Sequence, residues 1–115
     1  HKIFGDNKIL VSCTAVRIPT LRAHSESVTI ETVKKINVKA ARSVLKNSPG
    51  VKLVDDSRKL TYPMPVNAAG NFDVEAGRIR QSLVFGEHGL DFFVSGDQLL
   101  RGAALNAVEI AKLFV

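Results

Sequence analysis

Phe72-Asp73-Val74-Glu75-Ala76-Gly77-Arg78-Ile79-Arg80-Gln81-Ser82-Leu83-Val84-Phe85 reads as a strand, Gly86-Glu87-His88-Gly89 as a turn, and Leu90-Asp91-Phe92-Phe93-Val94-Ser95 as a returning strand. That order predicts a β-hairpin, with Gly77 as a bulge or a point of close backbone approach inside its first arm. Leu83, Val84, Phe92, Phe93 and Val94 make the hairpin apolar, and a long apolar sheet surface is an aggregation hazard unless covered. A homodimer that buries it by sheet-to-sheet contact is therefore expected. Gly96-Asp97 then opens a helix running to about Phe114, with Asp97 as its cap. Apolar residues from Leu99 to Leu113 occupy most of that helix's circumference and leave a narrow polar stripe of Asn106, Glu109 and Lys112. A helix apolar on most sides needs covering on most sides, so part of it is expected to pack against polypeptide outside this chain.

Upstream, residues 9–16 alternate, with Ile9, Val11, Cys13 and Ala15 on one parity, and predict a strand. Ser27 to Val33, rich in β-branched residues, predicts another, and Pro19 makes the connection between them irregular. Asn37 is a predicted N-cap for a short helix through Val38, Ala41, Val44 and Leu45, which Ser48-Pro49-Gly50 ends. Val51 to Val54 reads as a strand, Asp55 to Arg58 as a turn, Tyr62-Pro63-Met64-Pro65 as extended chain, and Asn67 to Asn71 as a small loop. The fold class expected from these elements is α+β, a mixed or antiparallel sheet with flanking helices.

The 115 residues, 45% hydrophobic and 23% charged, suffice for one core without disulfide or metal staples. One Cys rules out a disulfide-rich scaffold, and a reducing, cytoplasmic setting is the expected one. The net charge of +5 comes from sixteen basic and eleven acidic residues whose signs are interleaved, with few aromatics to stack on bases; a solvated positive face is expected and a nucleic-acid interface is not. Leu99 to Val115, interrupted by Arg101, Asn106, Glu109 and Lys112, falls short of the ~20 residues of a membrane span, so no membrane partner is expected. The opening His1-Lys2-Ile3, without an initiator Met, is expected of a piece of a longer chain.

Glycine-rich nucleotide loops and Cys-x-x-Cys motifs are absent, and His1, His24 and His88 are too widely spaced for a local metal motif. No metal site is predicted. Cys13, between Val11 and Ala15 on its strand face, is expected to be a buried, inert thiol, and His88 an ordinary turn residue. Arg17-Ile18-Pro19-Thr20-Leu21-Arg22-Ala23-His24-Ser25-Glu26-Ser27 differs from these. It gathers two guanidinium groups, an imidazole, two serine hydroxyls and a carboxylate at a strand junction, where rigid scaffolds present functional groups. Composition alone favours a polar strand-edge loop.

The segment from Arg17-Ile18-Pro19 to His24-Ser25-Glu26-Ser27-Val28 resembles the signature around the catalytic His of the aspartate-semialdehyde dehydrogenases. Val74-Glu75-Ala76-Gly77-Arg78-Ile79-Arg80 and Ser95-Gly96-Asp97-Gln98 through Gly102-Ala103-Ala104-Leu105-Asn106-Ala107-Val108 agree with that family in the same order. The resemblance implies a glyceraldehyde-3-phosphate dehydrogenase-like C-terminal domain: residues 1–96 as most of a dimerisation and substrate-binding domain, and 97–115 as a helix that packs on an NADP-binding domain outside this chain. It assigns Arg17 to the substrate α-carboxylate, His24 to acid/base catalysis and Gln98 to the nicotinamide end of NADP. The nucleophilic Cys, and a Glu and a Lys that contact substrate, are implied upstream of His1. The implied reaction is reductive dephosphorylation of aspartyl phosphate to aspartate semialdehyde in lysine, threonine and methionine biosynthesis, by a homodimer or homotetramer. Chain 1–115 alone is expected to be inactive. Two alternatives stand beside this: a related acyl-phosphate reductase of the N-acetylglutamyl-phosphate type, and a non-catalytic dimerisation module.

Overall fold

In a computed structural model describing residues 1–115, four strands and three short helices follow one another as β1 (His24–Glu31), α1 (Val38–Asn47), β2 (Val51–Leu53), α2 (Pro65–Ala68), β3 (Val74–Gln81), β4 (Gly89–Gly96) and α3 (Leu105–Ala111). The strands form one mixed sheet in the order β1-β4-β3-β2, antiparallel except for the parallel β2–β3 pair. The expected α+β class with a mixed sheet and flanking helices is what the chain adopts. The hairpin is β3–β4, closed by a 3₁₀ turn at Gly86–His88. Asn37 caps α1, its side chain accepting from the amides of Lys39 at 2.8 Å and Ala40 at 3.2 Å, and α1 packs across β2 and β3.

Gly77 marks the bulge. The β3–β4 register shifts between Gly77 and Arg80, and a Cβ at Gly77 would stand 2.0 Å from the Val54 carbonyl oxygen and 2.7 Å from Pro63 Cδ. Past the glycine, Arg78 takes φ +56°, and the amides of Arg78 and Ile79 donate to the Asp55 carboxylate at 3.0 and 3.2 Å. Asp55 in turn pairs with Arg42 of α1, so the amides that the bulge takes out of the ladder are satisfied. Because the obstacle to a side chain is backbone, which cannot swing aside, Gly77→Ala is expected to destabilise the fold by about 3 kcal/mol or more. A urea titration checks this, the expected result being a lowered midpoint with an unchanged slope.

Four expectations are corrected. Residues 9–16 form no strand: all eight are exposed, and alternation yields a strand only where a neighbour completes the ladder. Cys13 is therefore exposed, not buried on an apolar strand face. The second upstream strand runs from His24, earlier than Ser27, and stops at Glu31, since Thr32 turns away with its amide and hydroxyl on the His88 carbonyl. Part of the expected 67–71 loop is α2, which Pro65 can start because its missing N–H falls in the first turn.

The predicted terminal helix begins with a π-helical turn at Leu100–Ala104, continues as α3 and tightens to 3₁₀ at Lys112–Phe114, with no buried residue anywhere along it. Its exposed Val108, Ile110, Leu113 and Phe114, together with residues 1–21, all exposed, enlarge the chain. The radius of gyration is 15.3 Å, against about 13 Å for a compact domain of this length. No helix is long and apolar enough to cross a membrane.

Candidate functional site

His24 is the first residue of β1, and its ladder partner is Gly96, the last residue of β4. Directly opposed residues of an antiparallel pair share a sheet face. The partner being glycine, no side chain of β4 stands beside the exposed imidazole. One residue on, Ser25 Oγ donates to Ser95 Oγ at 3.0 Å, and Ser95 Oγ donates to the His24 carbonyl at 3.2 Å. Ser95 is wholly buried, so this relay fixes the backbone from which the imidazole projects.

On the other side of His24 the backbone is strained. Ala23 adopts φ +75° and is buried; positive φ is uncommon outside glycine and persists where both flanks are held. Arg22 supplies the second hold, its Nε lying 2.6 Å from Asp97 Oδ2. Asp97 follows Gly96 directly, and its side chain has no exposed surface. Its Oδ2 also accepts from the Gly70 amide at 2.7 Å, its Oδ1 from the Leu99 amide at 3.0 Å, and its carbonyl from the amides of Leu100 and Arg101. It is thus the helix cap that the sequence predicts. Burial pushes the Asp97 carboxyl up, but the Gly70 amide, the Arg22 guanidinium and the Leu99 amide outweigh it and hold its pKa below the ordinary carboxylate value.

Gln98, next along the chain, is half-buried, and its Oε1 is buried without a hydrogen-bond partner. Buried polar atoms are rarely left unpaired, and this acceptor has no donor within the chain. The sheet thus brings His24 and Gln98 to one end. Arg17 lies outside the ladder, exposed, in a segment bent at Pro19, where the Thr20 amide donates to the Ile18 carbonyl at 2.8 Å. It pairs with no carboxylate of the chain, whereas Arg22 is committed to Asp97. No three His, Cys, Asp or Glu side chains stand together as metal ligands.

Sequence reasoning singled out His24, Arg17 and Gln98 but missed the work of Arg22, Asp97, Gly70 and Ser95. The cap signal at Asp97 pointed at one of its partners, Leu99. The rest come from segments distant along the chain.

Comparisons with known proteins agree with one another. A family model described as semialdehyde dehydrogenase, dimerisation domain, matches residues 1–101. Proteins named aspartate-semialdehyde dehydrogenase from Synechocystis sp. and Aquifex aeolicus are 48% and 50% identical over 115 residues, which is 100% of this chain and 34% of each relative. The chain therefore spans about a third of the length of the curated relatives it matches. Among solved structures, aspartate semialdehyde dehydrogenase II complexed with ASA, from Vibrio cholerae, superposes with a TM-score of 0.78 at 32% identity, over 84% of this chain and 28% of that one. A probable aspartate-semialdehyde dehydrogenase from Pseudomonas aeruginosa gives 0.74 at 28% identity, over 83% and 28%.

Proposed function

The chain belongs to the semialdehyde dehydrogenase family, and from that premise we propose that it is the C-terminal part of an NADP-dependent aspartate-semialdehyde dehydrogenase. In this reading it supplies the acid/base His24, the carboxylate-binding Arg17, a cofactor contact at Gln98 and the oligomer interface of a cytoplasmic homodimer or homotetramer. The observation that carries the site is the joint placement of an exposed, backbone-fixed imidazole and a buried, unpaired amide oxygen at one end of the sheet.

Each residue suits its role chemically. His24 takes a proton from an attacking thiol and returns it to the oxygen of the reacting carbon, a task suited to an imidazole, whose ring nitrogens can each accept or donate. Arg17, unpaired within the chain, offers a planar fork that grips a carboxylate bidentately and fixes the carbon beside it. Gln98, whose Oε1 has no partner within the chain, would turn its amide to the nicotinamide carboxamide and so orient the ring. NADPH, when bound, supplies the hydride. The exposed apolar side chains of residues 105–114 support a second part of the reading, that residues 97–115 pack on a nucleotide-binding domain and residues 1–96 make up most of the dimerisation domain.

The test is to purify the longer protein that carries this chain and to follow NADP reduction with aspartate semialdehyde and phosphate. Phosphate-dependent reduction is the expected result, with residues 1–115 alone inactive. Turnover of N-acetylglutamate semialdehyde instead would assign the chain to the related acyl-phosphate reductases. Activity with neither substrate, from a folded dimer, would leave a dimerisation module.

A further inference from the structure

We propose that Asp97 is a positioning residue, a buried carboxylate that locks the backbone presenting His24 to the backbone presenting Gln98. The inference rests on the roles given above to those two side chains, and it adds a residue that touches neither substrate nor cofactor.

A carboxylate with no exposed surface is costly to bury unless its oxygens are fully engaged. Asp97 meets that condition with partners from three separate segments: an ion pair with Arg22 ahead of β1, and amide donors from Gly70 between α2 and β3 and Leu99 at the start of the terminal helix. A cap would need only the last of these. Arg22 stands two positions before His24, across the positive-φ Ala23, so the Arg22–Asp97 pair and the Ser95–His24 hydrogen bond hold the strained residue from opposite sides. Asp97 itself sits between Gly96, the ladder partner of His24, and Gln98. Release of this one carboxylate therefore frees both the turn before the imidazole and the turn that carries the amide. The Gly70 contact, at φ +80°, ties the loop ahead of β3 to the same anchor.

Asp97→Asn keeps the volume but turns an N–H₂ toward donors, so at least one contact is lost. In the full-length enzyme, two readouts are expected to move together. The first is kinetic: kcat per folded active site falls at least tenfold and KM for NADP rises at least threefold. The second needs no activity: amide hydrogen exchange rises at least tenfold in both residues 22–25 and residues 98–101, while β2 and the β3 segment paired with it stay unchanged. A residue that serves only global stability would lower the melting temperature and leave kinetics per folded site and the exchange pattern as they were. That result overturns the proposal, as does faster exchange on one side of Asp97 alone. Arg22→Lys, at a side chain that is 38% exposed, keeps the charge but loses the planar guanidinium that stands against Asp97; it is expected to give the same paired exchange signature with a kcat loss of at least threefold, and it carries the test if Asp97→Asn does not fold. Paired exchange in an enzyme with no semialdehyde activity would refute the catalytic reading and leave the lock standing. Normal activity with unpaired exchange would do the reverse.

Discussion

His24→Ala in the full-length enzyme is expected to lower kcat by a factor of about 10²–10⁴ while leaving the oligomer folded, the range set by loss of a positioned proton-transfer group. The two outcomes separate cleanly because of how His24 is held. Its backbone belongs to the β1–β4 ladder, and its carbonyl accepts from Ser95 Oγ at 3.2 Å; both survive truncation of the side chain. The ring is exposed and makes no hydrogen bond within the chain, so removing it leaves no buried partner unsatisfied. His88 is the internal contrast. Its Nδ1 lies 3.0 Å from the Thr32 carbonyl and its own carbonyl accepts the Thr32 amide, which ties the hairpin turn to the end of β1, so His88→Ala should act on stability and leave kcat per folded enzyme near normal. Steady-state kinetics with circular dichroism and sedimentation distinguish the two residues. Loss of folded protein in step with activity in His24→Ala would make that histidine structural.

What could be read from the sequence divides along a physical line. Asn37 and α1, the Gly86–Gly89 turn and the close approach at Gly77 are local effects: a cap reaches its own first turn, and a missing Cβ is missing whatever the neighbours are. The strand expected at residues 9–16 has the right alternation, but a strand also needs a partner edge, and pairing is a property of the whole sheet. Asp97 shows both halves in one residue. Its hydrogen bond to Leu99 spans two positions and is announced by the cap pattern, whereas Gly70 lies 27 residues away and Arg22 farther still. Nor does the sequence tell Arg17 from Arg22, two guanidinium groups in one short polar segment. The fold does, by consuming Arg22 in an ion pair with the buried Asp97. The roles proposed for His24, Arg17 and Gln98 rest on resemblance to a family's motifs, since an exposed His and an exposed Arg carry no mark of catalysis in periodicity or composition.

That difference between the arginines sets the second large effect. Arg17→Leu is expected to cost about 2–5 kcal/mol of transition-state binding, a fall of roughly 30- to 5,000-fold in kcat/KM. Arg17→Lys should also lose heavily, because an ammonium keeps the charge but cannot place two parallel N–H donors on one carboxylate. The magnitude itself is the argument. An ion pair left open to water contributes about 0–1 kcal/mol, and Arg17 is exposed in the chain as it stands, so a loss of several kcal/mol requires that substrate and the remainder of the enzyme close over it and exclude solvent. A loss under about 1 kcal/mol would mean that Arg17 meets the carboxylate in open water or not at all, and a Leu variant with near-normal kcat/KM would remove it from the site. Arg22→Lys supplies the control, since Arg22 already spends its Nε on Asp97. Arg17 variants should fail chiefly on the semialdehyde, with KM for NADP unchanged; Arg22→Lys, by loosening the turn that carries Gln98, should reach the cofactor as well. If both arginines gave the same pattern, the division of labour between a ligand-binding and a framework guanidinium would be wrong.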